Sequence, residues 1–432
     1  MITTLIETTE SLCPFCMRVI DAQVVARDNA VFLEKICPEH GSITLSIWPD
    51  AEHYQWMSAF RMPLKSPRVI GHPGVDCPQS CGLCAAHLRQ PTLVEIEVTQ
   101  SCNLRCPVCF IAAGHAPADP SLTQIEAMYA AIMKQVGPKA NIQLTGGEPT
   151  VRSDLAEIIR VGRCLGFSAI EVNTNGVVIC RKPAYLQKLA QAGLTGIYLQ
   201  FDGLTGDVYN QIRGVDLLKV KLQAIQNCRA VGVQVVLAMT VVWGVNHDQM
   251  GRVLEFALAN PDTIAGVAFQ PAFTSGRFEV TAEKRLNMGD VIFMLAEQSD
   301  GLIEPYDLWP LGCSHPLCSS ATYVVEHAGV NMPLTRLMTP QEYYATLDPA
   351  SPQGSVFPDL AARYFPDLKP GLSVVVMNYM DAETLDLKRL KECSMDVAME
   401  DGQLIPFCAY QLTDCSGKRL YSIWCQRGDR NA

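Results

Sequence analysis

Three thiols stand at Cys102, Cys106 and Cys109, in the pattern Cys-x3-Cys-x2-Cys. They follow directly on residues 94–99, whose alternating β-branched side chains read as a strand. Three thiolates with no fourth in the same loop can hold three irons of a cubane and leave one iron open, a position for catalysis rather than for storing an electron. A second set, Cys13-Pro-Phe-Cys16 and Cys37-Pro-Glu-His40-Gly41, places two knuckles at the ends of a hairpin-like stretch, residues 23–33. Three thiolates and one imidazole can close a tetrahedral site there, and its spacing admits zinc and iron alike. A third set is Cys77, Cys81 and Cys84, where Pro78 and Gly82 let the backbone curl. It suits an iron-sulfur cluster with a fourth ligand from His87 or a distant cysteine; a second zinc knuckle of Cys77, Cys81, Cys84 and His87 is the alternative.

Further along, Cys313 and Cys318 lie in a loop bounded by Pro and Gly, and Cys393 and Cys408 bracket an acidic turn at Asp401-Gly402. These four would complete the ligand set of another cluster, against the reading of Cys393 as a buried apolar residue. Cys164, Cys180 and Cys228 read as structural, and Cys415 and Cys425 are left without a role. His115 and His315 are near cysteine groups, and His115 reads as a polar loop residue. Arg213-Gly214 could bind an anion, but reads more simply as a helix end.

The chain has 432 residues, 48% apolar and 18% charged, which excludes a disordered polymer and allows two or three domains. Its 34 basic and 44 acidic residues leave a net charge of −10, giving a nucleic-acid partner no overall electrostatic support. No apolar run approaches the roughly 20 residues of a membrane span, and the first ten residues lack the positive start of a secretory leader. The expectation is a cytoplasmic protein, and clustered thiols in a reducing compartment bind metal more often than they pair, which turns attention to the 18 cysteines.

Six short strands are predicted at residues 93–99, 141–144, 169–173, 196–201, 234–242 and 266–270. Stretches of helical period alternate with them at 121–135, 154–165, 183–192, 217–231 and 247–259. Repeated βα units imply a parallel sheet, with chemistry at the carboxyl ends of its strands.

Those strand ends carry more than the cysteines: Thr145-Gly146-Gly147-Glu148-Pro149 ends the second, Thr174-Asn175-Gly176 the third and Asp202-Gly203 the fourth. With the cysteine triplet, the sequence resembles the radical SAM superfamily. The resemblance implies an α/β fold, a partial (β/α)6 barrel at residues 92–280. An N-terminal rubredoxin- or zinc-ribbon-like metal domain (1–65) and an auxiliary iron-sulfur segment (66–91) precede it, and a C-terminal auxiliary-cluster and substrate domain (281–432) follows. It implies a [4Fe-4S] cluster on Cys102, Cys106 and Cys109, one or two auxiliary clusters, and S-adenosylmethionine held by Phe110, Gly146, Gly147, Glu148, Pro149 and Asn173 or Asn175. The glycines are expected to let the cofactor approach the main chain.

The order of four motifs narrows the likeness to the group of the archaeal tetraether lipid synthase, also described as a pterin methyltransferase. These motifs are the N-terminal CPxC and CPEHG pair, CPxxCGxCxxH, the barrel motifs and Ile405-Pro-Phe-Cys408-Ala-Tyr410. The implied reaction is reductive cleavage of S-adenosylmethionine to a 5′-deoxyadenosyl radical, followed by C-C bond formation or methyl(ene) transfer at an unactivated carbon of a lipid or small molecule. A ferredoxin or flavodoxin would supply the low-potential electron. The competing readings are modification of a peptide or protein, and a non-catalytic iron-sulfur electron carrier.

Overall fold

The computed structural model describes residues 3–67, 77–114, 119–347, 356–367 and 369–421. His115 and Cys425 lie outside them.

The first 48 residues fold as a four-stranded antiparallel sheet, Thr3–Leu12, Val19–Arg27, Ala30–Cys37 and Gly41–Trp48, paired in chain order. Asp28 and Asn29 both have positive φ, the two-residue hairpin turn whose twist matches its strands. The expected hairpin therefore carries the two knuckles at its open end. This ribbon is fastened to the C-terminal part of the chain by polar contacts. The buried Lys35 ammonium donates to the Leu12 carbonyl at 2.6 Å and the Glu383 carbonyl at 2.6 Å, and Thr9 donates to Asp386 at 2.7 Å. Trp48, 1% exposed, sits against Gly289 at the start of helix Met288–Gln298.

The six predicted strands are all present, Leu93–Thr99, Asn141–Gly146, Ala169–Thr174, Gly196–Gln200, Gln234–Val241 and Ile264–Pro271, parallel and adjacent in chain order. The five predicted helices cover them as Leu122–Gln135, Leu155–Cys164, Pro183–Gln191, Leu218–Val231 and Met250–Leu258. Period-2 alternation sorts every strand into two faces. Val94, Ile96, Val98, Ile142, Leu144, Ile170, Val172, Leu199 and Leu237 are buried in the apolar core shared with the helices. Each contributes roughly 1.5–3 kcal/mol by leaving water. The opposite face presents Glu95, Gln143, Asn173, Tyr198, Gln200, Thr240 and Gln270 to a central cavity.

The chain after the sixth strand, expected as a domain of its own, joins the same sheet at both edges. Leu372–Met377 lies parallel to Ile264–Pro271, and Met395–Ala398 lies parallel to Leu93–Thr99. Ser319–His327 then pairs antiparallel with Leu372–Met377. The sheet edges that a six-stranded partial barrel would expose are thereby covered. Among the described residues no helix is long and apolar enough to cross a membrane.

Candidate active site and metal centres

At the carboxyl ends of the strands a cavity of about 240 Å3 opens, lined by Cys102, Cys106, Cys109, Phe110, Gly146, Gly147, Glu148, Asn173 and Asn175. The motifs read from the sequence thus converge on one space, and Pro149, buried, starts the single helical turn behind it. The three thiols are not among the groups gathered tightly enough to ligate one ion. That suits a cubane, in which each thiolate binds a different iron. Burial pushes the Cys106 thiol up against the pull of the Arg213 guanidinium.

The glycines serve a contact within the chain that was not expected. A Cβ on Gly146 would strike the Thr99 carbonyl, and one on Gly147 would strike the Ser101 and Gln100 carbonyls. Gly147 N donates to Thr99 O at 2.7 Å and Glu148 N to Ser101 O at 2.9 Å. So the second strand end is laid directly on the backbone that leads into the cysteine loop, and it is this chain's own approach that excludes side chains, whatever else approaches there.

Glu148, 1% exposed, spends its carboxylate within the protein. It accepts from Thr174 Oγ1 at 2.6 Å, from Asn175 N at 2.7 Å and from Thr150 N at 3.1 Å. It therefore ties the second strand end to the third. Asn175 in turn donates to Asn103 at 2.7 Å and accepts from Val177 N, which joins the third strand end to the cysteine loop. Asn173 keeps its Oδ1 buried and unpartnered on the cavity side.

Two arginines brace the loop from below, and neither role was predicted. Arg213 forks onto Asp202 through two bonds of 2.7 Å and donates to the Val108 carbonyl at 2.9 Å. Its neighbour Gly214, with positive φ, ends the helix as expected. Arg277 donates to the carbonyls of Cys106 and Ala113, both at 2.9 Å, from a two-residue strand paired with Val108–Cys109.

In the ribbon, His40 Nδ1 lies 3.5 Å from both Cys13 Sγ and Cys37 Sγ, and Cys16 Sγ lies 3.9 Å from Cys37 Sγ. All four ligand atoms fall within 4.8 Å of one another. A tetrahedron with metal-sulfur bonds near 2.3 Å and a metal-nitrogen bond near 2.0 Å has edges of about 3.8 Å and about 3.5 Å. The four side chains therefore fit one mononuclear ion. Cys37→Ala is expected to remove one metal equivalent per chain by elemental analysis while leaving the remaining iron in place; an unchanged metal content would refute the assignment.

Among the described residues that is the only such gathering, and the ligand atoms of Cys77, Cys81, Cys84 and His87 are not drawn together in this way. His87 Nε2 is instead hydrogen-bonded to the Cys393 carbonyl at 2.8 Å. That contact sets the Cys77 segment beside the C-terminal cysteines. Cys318 Sγ accepts from Arg389 at 3.3 Å, Cys408 Sγ accepts from Met380 N at 3.4 Å, and Cys393 interacts electrostatically with both Cys408 and Cys318. Cys313, buried, has Thr92 and Ser394 as its hydrogen-bonding neighbours. Burial pulls the His315 imidazole down to about 3. Cys228 is buried, Cys180 half-buried, and Cys164 and Cys415 exposed.

A family model described as the Radical SAM superfamily matches residues 96–257, and one described as the HMPTM N-terminal zinc ribbon domain matches residues 5–49. The chain is 32% identical to 7,8-dihydro-6-hydroxymethylpterin dimethyltransferase of Methanocaldococcus jannaschii, over 93% of this chain and 92% of that one. It is 30% identical to GTP 3′,8-cyclase of Alkaliphilus oremlandii over 42% of this chain and 58% of that one. Among solved structures, Streptococcus suis SuiB bound to precursor peptide SuiA aligns over 50% of this chain and 46% of that one, at 17% identity and a TM-score of 0.43.

Proposed function

Because the chain belongs to the radical SAM superfamily, in the family of the dihydrohydroxymethylpterin dimethyltransferase, we propose that it transfers a methyl or methylene group to carbon on a small polar heterocycle of the pterin kind. The observation that carries the substrate class is the polar wall of the cavity. Glu95, Gln143, Asn173, Tyr198 and Gln270 all face it from the inner side of the barrel. Gln143, Tyr198 and Gln270 are already paired within the protein, but Glu95 Oε2 and Asn173 Oδ1 are buried without a partner, and an alkyl chain laid against those two would leave them so at a cost of roughly 1–3 kcal/mol each. The lipid reading therefore yields to the small-molecule one.

The [4Fe-4S] cluster that Cys102, Cys106 and Cys109 would hold supplies, when bound, the electron that cleaves S-adenosylmethionine to methionine and a 5′-deoxyadenosyl radical. The protein's part is positional. Gly146, Gly147, Glu148 and Pro149 would form the ledge for the methionine end, and Asn173 or Asn175 would meet the ribose. Phe110, packed with Phe273 and Phe407 at ring separations of 5.7 and 5.8 Å, would wall the nucleoside off from water. Cys77, Cys81 and Cys84 would hold one auxiliary cluster, and Cys318, Cys393 and Cys408, with Cys313, a second. A low-potential donor such as a ferredoxin or flavodoxin would deliver the electron.

The test is anaerobic reconstitution followed by incubation with reductant, S-adenosylmethionine and 6-hydroxymethyl-7,8-dihydropterin, with and without a methylene-tetrahydropterin as one-carbon source. The expected result is 5′-deoxyadenosine together with a pterin heavier by one or two methyl groups in mass spectrometry. 5′-Deoxyadenosine without any alkylated pterin in either mixture would overturn the pterin assignment.

A further inference from the structure

We infer that Arg389 is a positioning residue: its guanidinium, hydrogen-bonded to Cys318 Sγ and paired with no carboxylate, makes the auxiliary cluster of Cys318, Cys393 and Cys408 easier to reduce than the cluster of Cys102, Cys106 and Cys109. This rests on the cluster assignments above and gives the auxiliary cluster a place in the order of reduction.

Arg389 stands, buried, on the short helix Leu387–Lys391. Its Nη2 donates to the Leu317 carbonyl at 2.8 Å and to Cys318 Sγ at 3.3 Å, and its Nε is buried without a partner. A guanidinium in a protein keeps its proton, so this is a full positive charge held out of water. Among the described residues no carboxylate forms an ion pair with it. Asp386, whose charge reaches it, spends its Oδ1 on Thr9 Oγ1 at 2.7 Å and on Lys388 N at 2.9 Å. A buried cation in this condition is costly, and a folded chain retains one where an anion sits beside it. Thiolates around an iron-sulfur cube are such an anion, and the bond to Cys318 Sγ already points at it.

The carboxylates near these thiols do not offset that charge. Asp381, whose charge reaches Cys408, is paired with the Arg285 guanidinium. Asp396, on the Cys393 side, is neutral, because burial pushes its carboxyl well up. Met380 N adds a second hydrogen bond to sulfur, at 3.4 Å on Cys408. The loop of Cys102, Cys106 and Cys109 is surrounded differently. The charges of Arg213 and Lys221 reach it, but so do those of Asp202 and Glu148. Arg213 and Arg277 bind the Val108 and Cys106 carbonyls there, while Cys102 Sγ accepts from the neutral Leu104 N. Uncompensated positive charge and hydrogen bonds to sulfur both favour the reduced, more negative cluster. An electron from the low-potential donor named above therefore settles on the auxiliary cluster first.

The experiment is a redox titration of the anaerobically reconstituted full chain followed by electron paramagnetic resonance. The signal that S-adenosylmethionine alters marks the Cys102 cluster, and the signal lost in Cys318→Ala marks the auxiliary one. In the unaltered protein the auxiliary signal is expected to appear at the higher potential. Arg389→Gln is expected to lower the auxiliary cluster's equilibrium constant for one-electron reduction about tenfold, equivalent to about 59 mV, and to leave the Cys102 cluster where it was. Arg389→Lys keeps the charge but cannot fork onto Leu317 and Cys318 together, and is expected to recover part of the shift. An unmoved auxiliary midpoint in Arg389→Gln protein of full iron content would overturn the role, and so would equal movement of both clusters, the mark of a general loosening. Should Arg389→Gln lose the cluster, the unaltered protein decides: reduction of the Cys102 cluster first would overturn the role. Unchanged iron in Cys318→Ala would refute the cluster assignment itself. None of these readouts needs a substrate, so they stand apart from alkylation of the pterin.

Discussion

Protein carrying Cys106→Ala is expected to form 5′-deoxyadenosine at less than about 10⁻³ of the unaltered rate, equivalent to about 4 kcal/mol, and to lose about four irons per chain. Cys106 is 8% exposed, at the inner end of the loop. Its removal leaves the loop's other anchors untouched, since Arg277 binds the Cys106 carbonyl rather than the side chain, Arg213 binds the Val108 carbonyl, and Cys102 Sγ accepts from Leu104 N at 3.4 Å. The fold should therefore survive, and the loss should fall on the cluster, two of whose irons would then lack a protein ligand. The ribbon site is built from Cys13, Cys16, Cys37 and His40 on a separate sheet and should keep its ion. Iron and sulfide analysis beside the nucleoside assay makes the check. Unchanged iron with undiminished 5′-deoxyadenosine would show that these thiols are not the cluster's ligands.

That loop was legible in the sequence because its signal is local. A thiol triplet after an alternating strand, followed about forty residues later by a glycine pair after another, needs no knowledge of what lies opposite. The six strands and five helices were found for the same reason, their apolar period being set by a core on one face. What escaped was decided across space. Met395–Ala398 and Arg277–Phe278 are four and two residues long, too short to show a period, and they become strands through Leu93–Thr99 and Val108–Cys109. The need for glycine at 146 and 147 was read from the cofactor's approach alone, and the close contact with the carbonyls of Thr99 and Ser101, which demands it as well, lies across space. Glu95 could have been noticed. Two glutamates at alternate positions of a strand otherwise made of Val, Ile, Leu and a closing Thr place charge on a face that must be enclosed, and a barrel strand offers only its lumen.

Arg213→Ala is expected to destabilise the protein by about 3–5 kcal/mol, because it leaves a charge buried and alone. Asp202 is 0% exposed and meets the guanidinium through two bonds of 2.7 Å. Arg213 also reaches Thr240 Oγ1 at 3.1 Å and the Val108 carbonyl at 2.9 Å, so two strand ends and the cysteine loop are joined through one side chain. The exchange of both partners for leucine should cost less than the sum of the two single exchanges, since no unpaired charge remains, and the shortfall in a double-mutant cycle measures their coupling. Urea unfolding reads the stability. In parallel, the loop that Arg213 no longer holds should bind its cluster less tightly, seen as faster iron loss to a chelator. An arginine serving as an anion site for substrate or cofactor would behave otherwise. It would raise KM and leave the unfolding midpoint where it was, and that pattern would refute the bracing role. Arg213→Lys separates charge from shape: an ammonium can keep the ion pair with Asp202 but cannot also fork onto Thr240 and Val108, so it should recover part of the stability and little of the resistance to chelator.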